Sequence, residues 1–223
     1  MRRLITIGIV LLAWPAVAGT QATRNAREAV ADNRQIVAGR AQLQRDSREL
    51  AEFEGFVRSL EDAREDRMAK RYRDANTLIR TAMKREIEQA RKKAGQAKHE
   101  VRQDRSEYRG ERMEAHAGGV GRDFVQAADD RRDLRDDRRD WRARAEVLRD
   151  MERVASQASA LDDEIAPGKR EALSRNDGLA HEFLSLMRED WARTQSELGE
   201  DRRERGEDRR ERRDDRRDQA NAR

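Results

Sequence analysis

Residues 68–101 read MAKRYRDANTLIRTAMKREIEQARKKAGQAKHEV. Met68, Tyr72, Ala75, Ile79, Met83, Ile87, Ala90, Ala94, Ala97 and Val101 follow one another at spacings of three and four, the period of an α-helix. No proline interrupts the line, and polar residues fill the skipped positions. A helix patterned this way buries its apolar side against a neighbour.

The same line continues on both sides of this stretch. Upstream it runs Ala22, Ala26, Ala29, Ile36, Leu43, Leu50, Phe53, Val57, Leu60. Downstream it runs Leu134, Arg138, Trp141, Ala145, Leu148, Met151, Ala155, Ala158, Leu161, Ile165, and then Ala180, Leu184, Met187, Trp191, Thr194, Leu198. All four stripes are narrow, nearer a coiled-coil seam than a broad globular face. The sequence therefore predicts an all-α protein: an elongated antiparallel helical bundle, or coiled coil, of three to four long helices. A charged helical or disordered C-terminal tail follows them.

Two interruptions divide the pattern. AGGVG at 117–121 holds three glycines in five residues, and Pro167 is the one proline beyond the first eighteen positions. Helices are expected near 122–165 and 169–198, and the region 21–115 is expected to break at Gly39 or Gly55. Folding back around Pro167 sets Trp141 level with Trp191, and folding around residue 119 sets Trp141 opposite Ala94 and Gly95.

The first residues, MRRLITIGIVLLAWPAVAGT, carry two arginines, an apolar run and the small-residue pattern Ala16-Val17-Ala18. This is the form of a bacterial secretory signal, with cleavage expected after Ala18. The apolar run is about half of the roughly 20 residues that span a bilayer. The expected organisation is a cleaved segment at 1–18, a helical region at 19–198 and a charged tail at 199–223. The expected location is periplasmic or secreted, with no transmembrane segment in the mature chain.

Composition narrows the chemistry. The chain has no cysteine, so disulfides, thiol catalysis and cysteine-held metals are excluded. Charged residues are 43% of the chain against 4% aromatics, where ordinary domains carry about 25% charged residues. Yet 50 basic and 46 acidic side chains nearly cancel to +4, unlike the high net charge of most disordered chains. Acids interleave with the bases, and aromatics for base stacking are few, which argues against nucleic acid as a partner.

The charges are arranged as a repeat. Residues 129–142 read DDRRDLRDDRRDWR, two copies of a seven-residue unit, and residues 200–220 carry three more copies in register. On a helix the acids of each unit gather on one arc and the arginines on another. Like-sign neighbours outnumber opposite-sign ones at i+3 and i+4, so an isolated repeat is a poor helix and calls for a partner. Leu134 and Trp141 lie between the two arcs. Against an identical helix, a parallel pairing sets opposite flanks together, whereas an antiparallel pairing sets like flanks together. The seam Leu134, Trp141, Leu148, Leu184, Trp191 and Leu198 is therefore a candidate for packing or self-association.

No catalytic, cofactor or metal-binding set is expected. HEFLS at 181–185 opens like a zinc-protease motif but has Ser185 where the second histidine belongs. SRNDGLAHE fails the calcium-loop spacing and reads as a kink or local turn within a helix. The remaining cation candidates are His99 with Glu100 and Asp104, and His116 with Glu111. Residues 80–112 hold eleven Lys or Arg against six Asp or Glu. The patch Lys84, Arg85, Arg91, Lys92, Lys93 and Lys98 is thus a candidate for an anionic partner such as an envelope surface.

These features predict a non-enzymatic coiled-coil protein acting through charged helical surfaces as chaperone, scaffold or adaptor. In class it is similar to periplasmic holdase chaperones of the Skp and Spy types. The Leu-Thr-x-x-Gln signature of the latter is absent, and no functional residue is carried over. The alternatives are an envelope stress-protection polyampholyte, active in desiccation or metal stress, and a metal-binding stress sensor.

Overall fold

The computed structural model describes the backbone of residues 14–116, 121–166 and 168–221. Most of the expected signal segment, the glycines at 118 and 119, and Pro167 lie outside the described residues. The elements are α1 (Trp14–Glu65), α2 (Ala69–His116), α3 (Gly121–Ser159), the one-turn α4 (Asp162–Ile165) and α5 (Arg170–Asn221). No strand occurs among the described residues, and the expected all-helical bundle is what forms. The chain divides into two compact units, residues 45–193 and residues 1–44 with 194–223.

The break within 21–115 is present, but at neither glycine. α1 runs through Gly39 and Gly55 and ends at Glu65. The turn is closed by Met68 N–H donating to Ala63 C=O at 2.9 Å and by Arg67 N–H donating to Arg64 C=O at 3.1 Å. This is the double bond of a Schellman ending, whose left-handed residue is usually glycine. Here it is Arg67, at φ 55°. Met68, read as resuming the apolar line, lies in the turn and is exposed. Gly39 has a different use: a Cβ there would stand 3.2 Å from Leu198 Cδ1, so the glycine admits a leucine of α5 within the smaller unit.

Two further expectations change. The helix near 122–165 is divided, with α3 stopping at Ser159 and α4 supplying a separate turn before Gly168. The Asp177-Gly178 pair makes no turn, and α5 continues through it as far as Asn221.

In the larger unit the four long helices alternate in direction. Arg85 reaches Glu52 at 2.6 Å while Lys93 reaches Asp46 at 2.8 Å, so α2 runs antiparallel to α1. Arg91–Glu152 at 2.6 Å joins α2 to α3, and Arg153–Glu182 at 2.8 Å joins α3 to α5. Arg188–Glu54 at 2.8 Å returns from α5 to α1. Exposed pairs of this kind contribute about 0–1 kcal/mol each and report register more than stability. The core they surround centres on Phe53 and Phe183, whose ring centroids are 5.4 Å apart, with Leu60, Ile79, Met83 and Met151 fully buried.

The buried faces are broader than narrow seams. On α2, Asn76, Arg80, Glu86 and Lys93 turn inward beside the apolar line, and Asn76, Glu86 and Lys93 are buried. They meet α5, the helix that runs parallel to α2 across the bundle. Tyr72 Oη donates to Asp177 Oδ1 at 2.9 Å, and Asn176 Nδ2 donates to Tyr72 Oη at 3.0 Å and Asn76 Oδ1 at 3.1 Å. Arg80 donates to Asn176 Oδ1 at 3.0 Å, to Asp162 Oδ1 at 3.1 Å and to the Ala158 carbonyl. Arg64 closes the set from α1, 2.6 Å from Asp177 Oδ2.

Further along, Lys93 Nζ lies 2.8 Å from Asp46 Oδ2 and 2.5 Å from Asp190 Oδ2, with all three side chains buried. Burial works against the Lys93 ammonium, but the charges of Asp190 and Asp46 outweigh it and raise its pKa. At Asp46 burial wins over Lys93 and the carboxyl is raised, because two acids share one ammonium. Nearby Glu86 is pushed up to about 7, chiefly by burial.

Two outcomes follow. Arg67→Gly removes a left-handed side-chain penalty of about 1 kcal/mol, so its urea midpoint should rise. Lys93→Met strands two buried carboxylates and should cost about 3–5 kcal/mol in urea denaturation, while Lys92→Met on the exposed face should change stability by less than about 0.5 kcal/mol.

Candidate functional site

The far part of α2 and the first half of α3 carry the charge pattern onto facing helices. On α2, Arg105, Arg109 and Arg112 stand at i, i+4 and i+7, which is one helix face. On α3, Arg131, Arg135 and Arg138 repeat the same spacing. These last three are the basic arc of the two repeats that flank Leu134. Because α2 and α3 are antiparallel, the two arginine arcs meet along one side of the pair.

The result is a cleft of about 880 Å³ lined by all six guanidinium side chains. Its floor is apolar, with Leu134 buried and Tyr108 half-buried, and Met113 stands exposed at its edge. Among the described residues no carboxylate lines it, and none of the six arginines makes an ion pair.

The other side of the pair shows the complementary arrangement. Asp137 and Asp140 on α3 face Glu100 and Asp104 on α2. Asp137 is pushed up to about 8 by burial, by its hydrogen bond with Asp104, and by the charges of Asp104, Glu100 and Asp140. Asp104 Oδ2 is buried without a hydrogen-bond partner among the described residues. Acid faces acid here, as base faces base across the seam.

The patch read from the sequence does not assemble. Lys93 is buried in its ion triad and is not on the surface. Arg85 is engaged by Glu52 and Glu49, and Arg91 by Glu152. Lys98 sits 5.9 Å from the Trp141 ring centroid, a cation–π contact one turn beyond the expected Ala94 and Gly95. Lys84 and Lys92 stand exposed and, like Lys98, make no ion pair among the described residues. The arginines that line the cleft lie further along α2, inside the 80–112 window but beyond the lysine cluster. The spacing of Arg105, Arg109 and Arg112 was available to find them, but their α3 counterparts needed the antiparallel register.

The proposed seam packs within the chain. Leu134 floors the cleft, Leu148 packs against the core, and Leu184 belongs to it. Trp141 and Trp191 are half-buried, and Leu198 is buried beside Gly39 in the smaller unit. His181 pairs with Glu61 at 2.8 Å and Glu182 with Arg153, so HEFLS holds neighbouring helices together. His99 is exposed, and the side chains of His116 and Glu111 lie outside the described residues. Among the described residues no three His, Asp or Glu side chains are grouped to hold a metal ion. No helix is long and apolar enough to cross a membrane among the residues described. Neither a protein-family model, nor a curated protein, nor a solved structure matches the chain.

The acidic side carries a pH consequence. Asp137 and Glu86 hold their protons more tightly folded than unfolded, so the stability they contribute is complete near pH 4 and is lost as pH rises through 7 and 8. Asp137→Asn should leave the melting midpoint at pH 3.5 nearly unchanged. At pH 9 it should raise the midpoint by about 2–4 °C, read by circular dichroism at both pH values.

Proposed function

We propose that this chain is a non-enzymatic, extracytoplasmic helical-bundle protein that acts through its charged helical surfaces as a scaffold, adaptor or chaperone. The observation that carries this reading is the arginine cleft, whose six guanidiniums make no ion pair among the described residues. Elsewhere in the larger unit, interhelical arginines reach a carboxylate at the next helix, as Arg85, Arg91, Arg153 and Arg188 do. Six guanidiniums held together without such a partner among the described residues form a surface complementary to something outside the chain. Placement outside the cytoplasm rests on the N-terminal pattern of Arg2, Arg3, the apolar run and Ala16-Val17-Ala18.

Tight interior packing around Phe53 and Phe183, with buried polar networks, favours this reading over a solvated polyampholyte. A folded bundle unfolds cooperatively, whereas a polyampholyte loses helix gradually on heating. The metal-sensor alternative requires a metal-dependent shift in stability that disappears when His99 and His116 are both replaced.

The test uses protein beginning at Gly19. At equimolar ratio it should suppress aggregation of a chemically unfolded client, or associate with a second protein, at 50 mM salt. The effect should weaken severalfold at 500 mM salt, where the Debye length is below about 5 Å. Neither client protection nor association at low salt, together with a broad non-cooperative melt, would overturn the proposal.

A further inference from the structure

We propose that the cleft between α2 and α3 is a binding site for a multivalent phosphate-bearing anion, held by Arg105, Arg109 and Arg112 from one side and Arg131, Arg135 and Arg138 from the other. This deepens the charged-surface reading above and rests on it.

The residue type points to the ligand. All six cations are arginine, whose planar fork of donors fits phosphate in a bidentate way and keeps its charge at any physiological pH. Their spacing points to valence. Seven residues rise about 10 Å along a helix, so each wall presents a row of charge of that length. A single orthophosphate engages one or two members of such rows, whereas linked or clustered phosphates engage both. The volume, about 880 Å³, is in the range of ligand sites and has room for more than one phosphate.

The two flanks of the helix pair explain why the cleft calls for an external anion. Like charges meet on both flanks, but the acidic flank can relieve itself internally by keeping a proton between Asp137 and Asp104. The arginine flank has no such means, since guanidinium does not give up its proton. With no carboxylate among the described lining residues, repulsion there is relieved by counterions or by a bound polyanion. Leu134, Tyr108 and Met113 add an apolar floor and edge, so the phosphates can belong to a lipid headgroup or to a free oligophosphate.

Inorganic tripolyphosphate is the probe for the free form, and vesicles containing cardiolipin, against pure phosphatidylcholine vesicles, are the probe for the lipid form. Both are titrated against protein beginning at Gly19, with orthophosphate as the monovalent reference. Tripolyphosphate should bind at least tenfold more tightly than orthophosphate and raise the melting midpoint. Arg109→Gln with Arg135→Gln should weaken binding at least tenfold and flatten its salt dependence. Because this variant removes repulsion, its own midpoint should match or exceed the parent's, which separates lost binding from lost fold. Lys84→Gln with Lys92→Gln makes the same change of charge outside the cleft and should bind like the parent.

Tripolyphosphate binding without cardiolipin binding identifies a free anion. Cardiolipin binding that tripolyphosphate displaces identifies a headgroup. Equal losses in the two double variants, or no preference over orthophosphate, overturn the cleft assignment. In that event a salt-sensitive protection of clients still supports the broader reading, and its absence as well overturns both.

Discussion

An antiparallel pair of helices mirrors the flanks that each helix carries. When both helices bear acid on one side of their apolar line and arginine on the other, the mirror sets acid against acid and base against base. α2 and α3 meet this condition over Glu100–Arg112 and Arg131–Asp140. The carboxyl pair at Asp104 and Asp137 and the arginine cleft are thus two outcomes of one constraint. They differ because a carboxyl group can be neutralised by a proton near neutral pH and a guanidinium cannot.

The remainder of the larger unit is organised to withstand that local conflict. A chain with 43% charged residues has few apolar side chains for a thick core. The bundle supplements Phe53, Phe183 and their neighbours with polar groups that bond one another inside it, although Asp46 Oδ1 and Arg80 Nε and Nη1 find no partner among the described residues. Lys93 serves two acids at once, and Asn176 bonds both Tyr72 and Asn76 while accepting from Arg80. Such networks add less net stability than apolar packing, but their half-satisfied alternatives are costly, so they favour one arrangement of the helices.

Much of the helical framework was legible from spacing alone. Tyr72, Ile79, Met83, Met151 and Leu184 were all placed on apolar lines and all are buried. The turn at 66–68 was not legible, because its left-handed residue is Arg67 where glycine or asparagine is the usual signal. The breadth of the buried faces was hidden for a related reason. Asn76, Glu86 and Lys93 are polar, so a search for apolar period passes over them although they sit beside the line. Of the candidate site, the separation of charge into two arcs was legible, and so was its consequence for an antiparallel pair. Which arginines face which could not be read, since that depends on how α2 and α3 are aligned.

That alignment is itself a problem of translational degeneracy. The charged positions of the two copies in DDRRDLRDDRRDWR coincide under a slide of seven residues, so within the repeat only Leu134 against Trp141 tells one copy from the next. Outside the repeat α3 is indexed by Arg91–Glu152 and, at the opposite end of the unit, by Arg80, which grips the Ala158 carbonyl and Asp162 while also holding Asn176 of α5. Arg80 and Arg109 are separated by about 44 Å of helix. The cleft therefore shares its alignment with contacts far from any of its own residues, as a key is cut true by a stop at its tip.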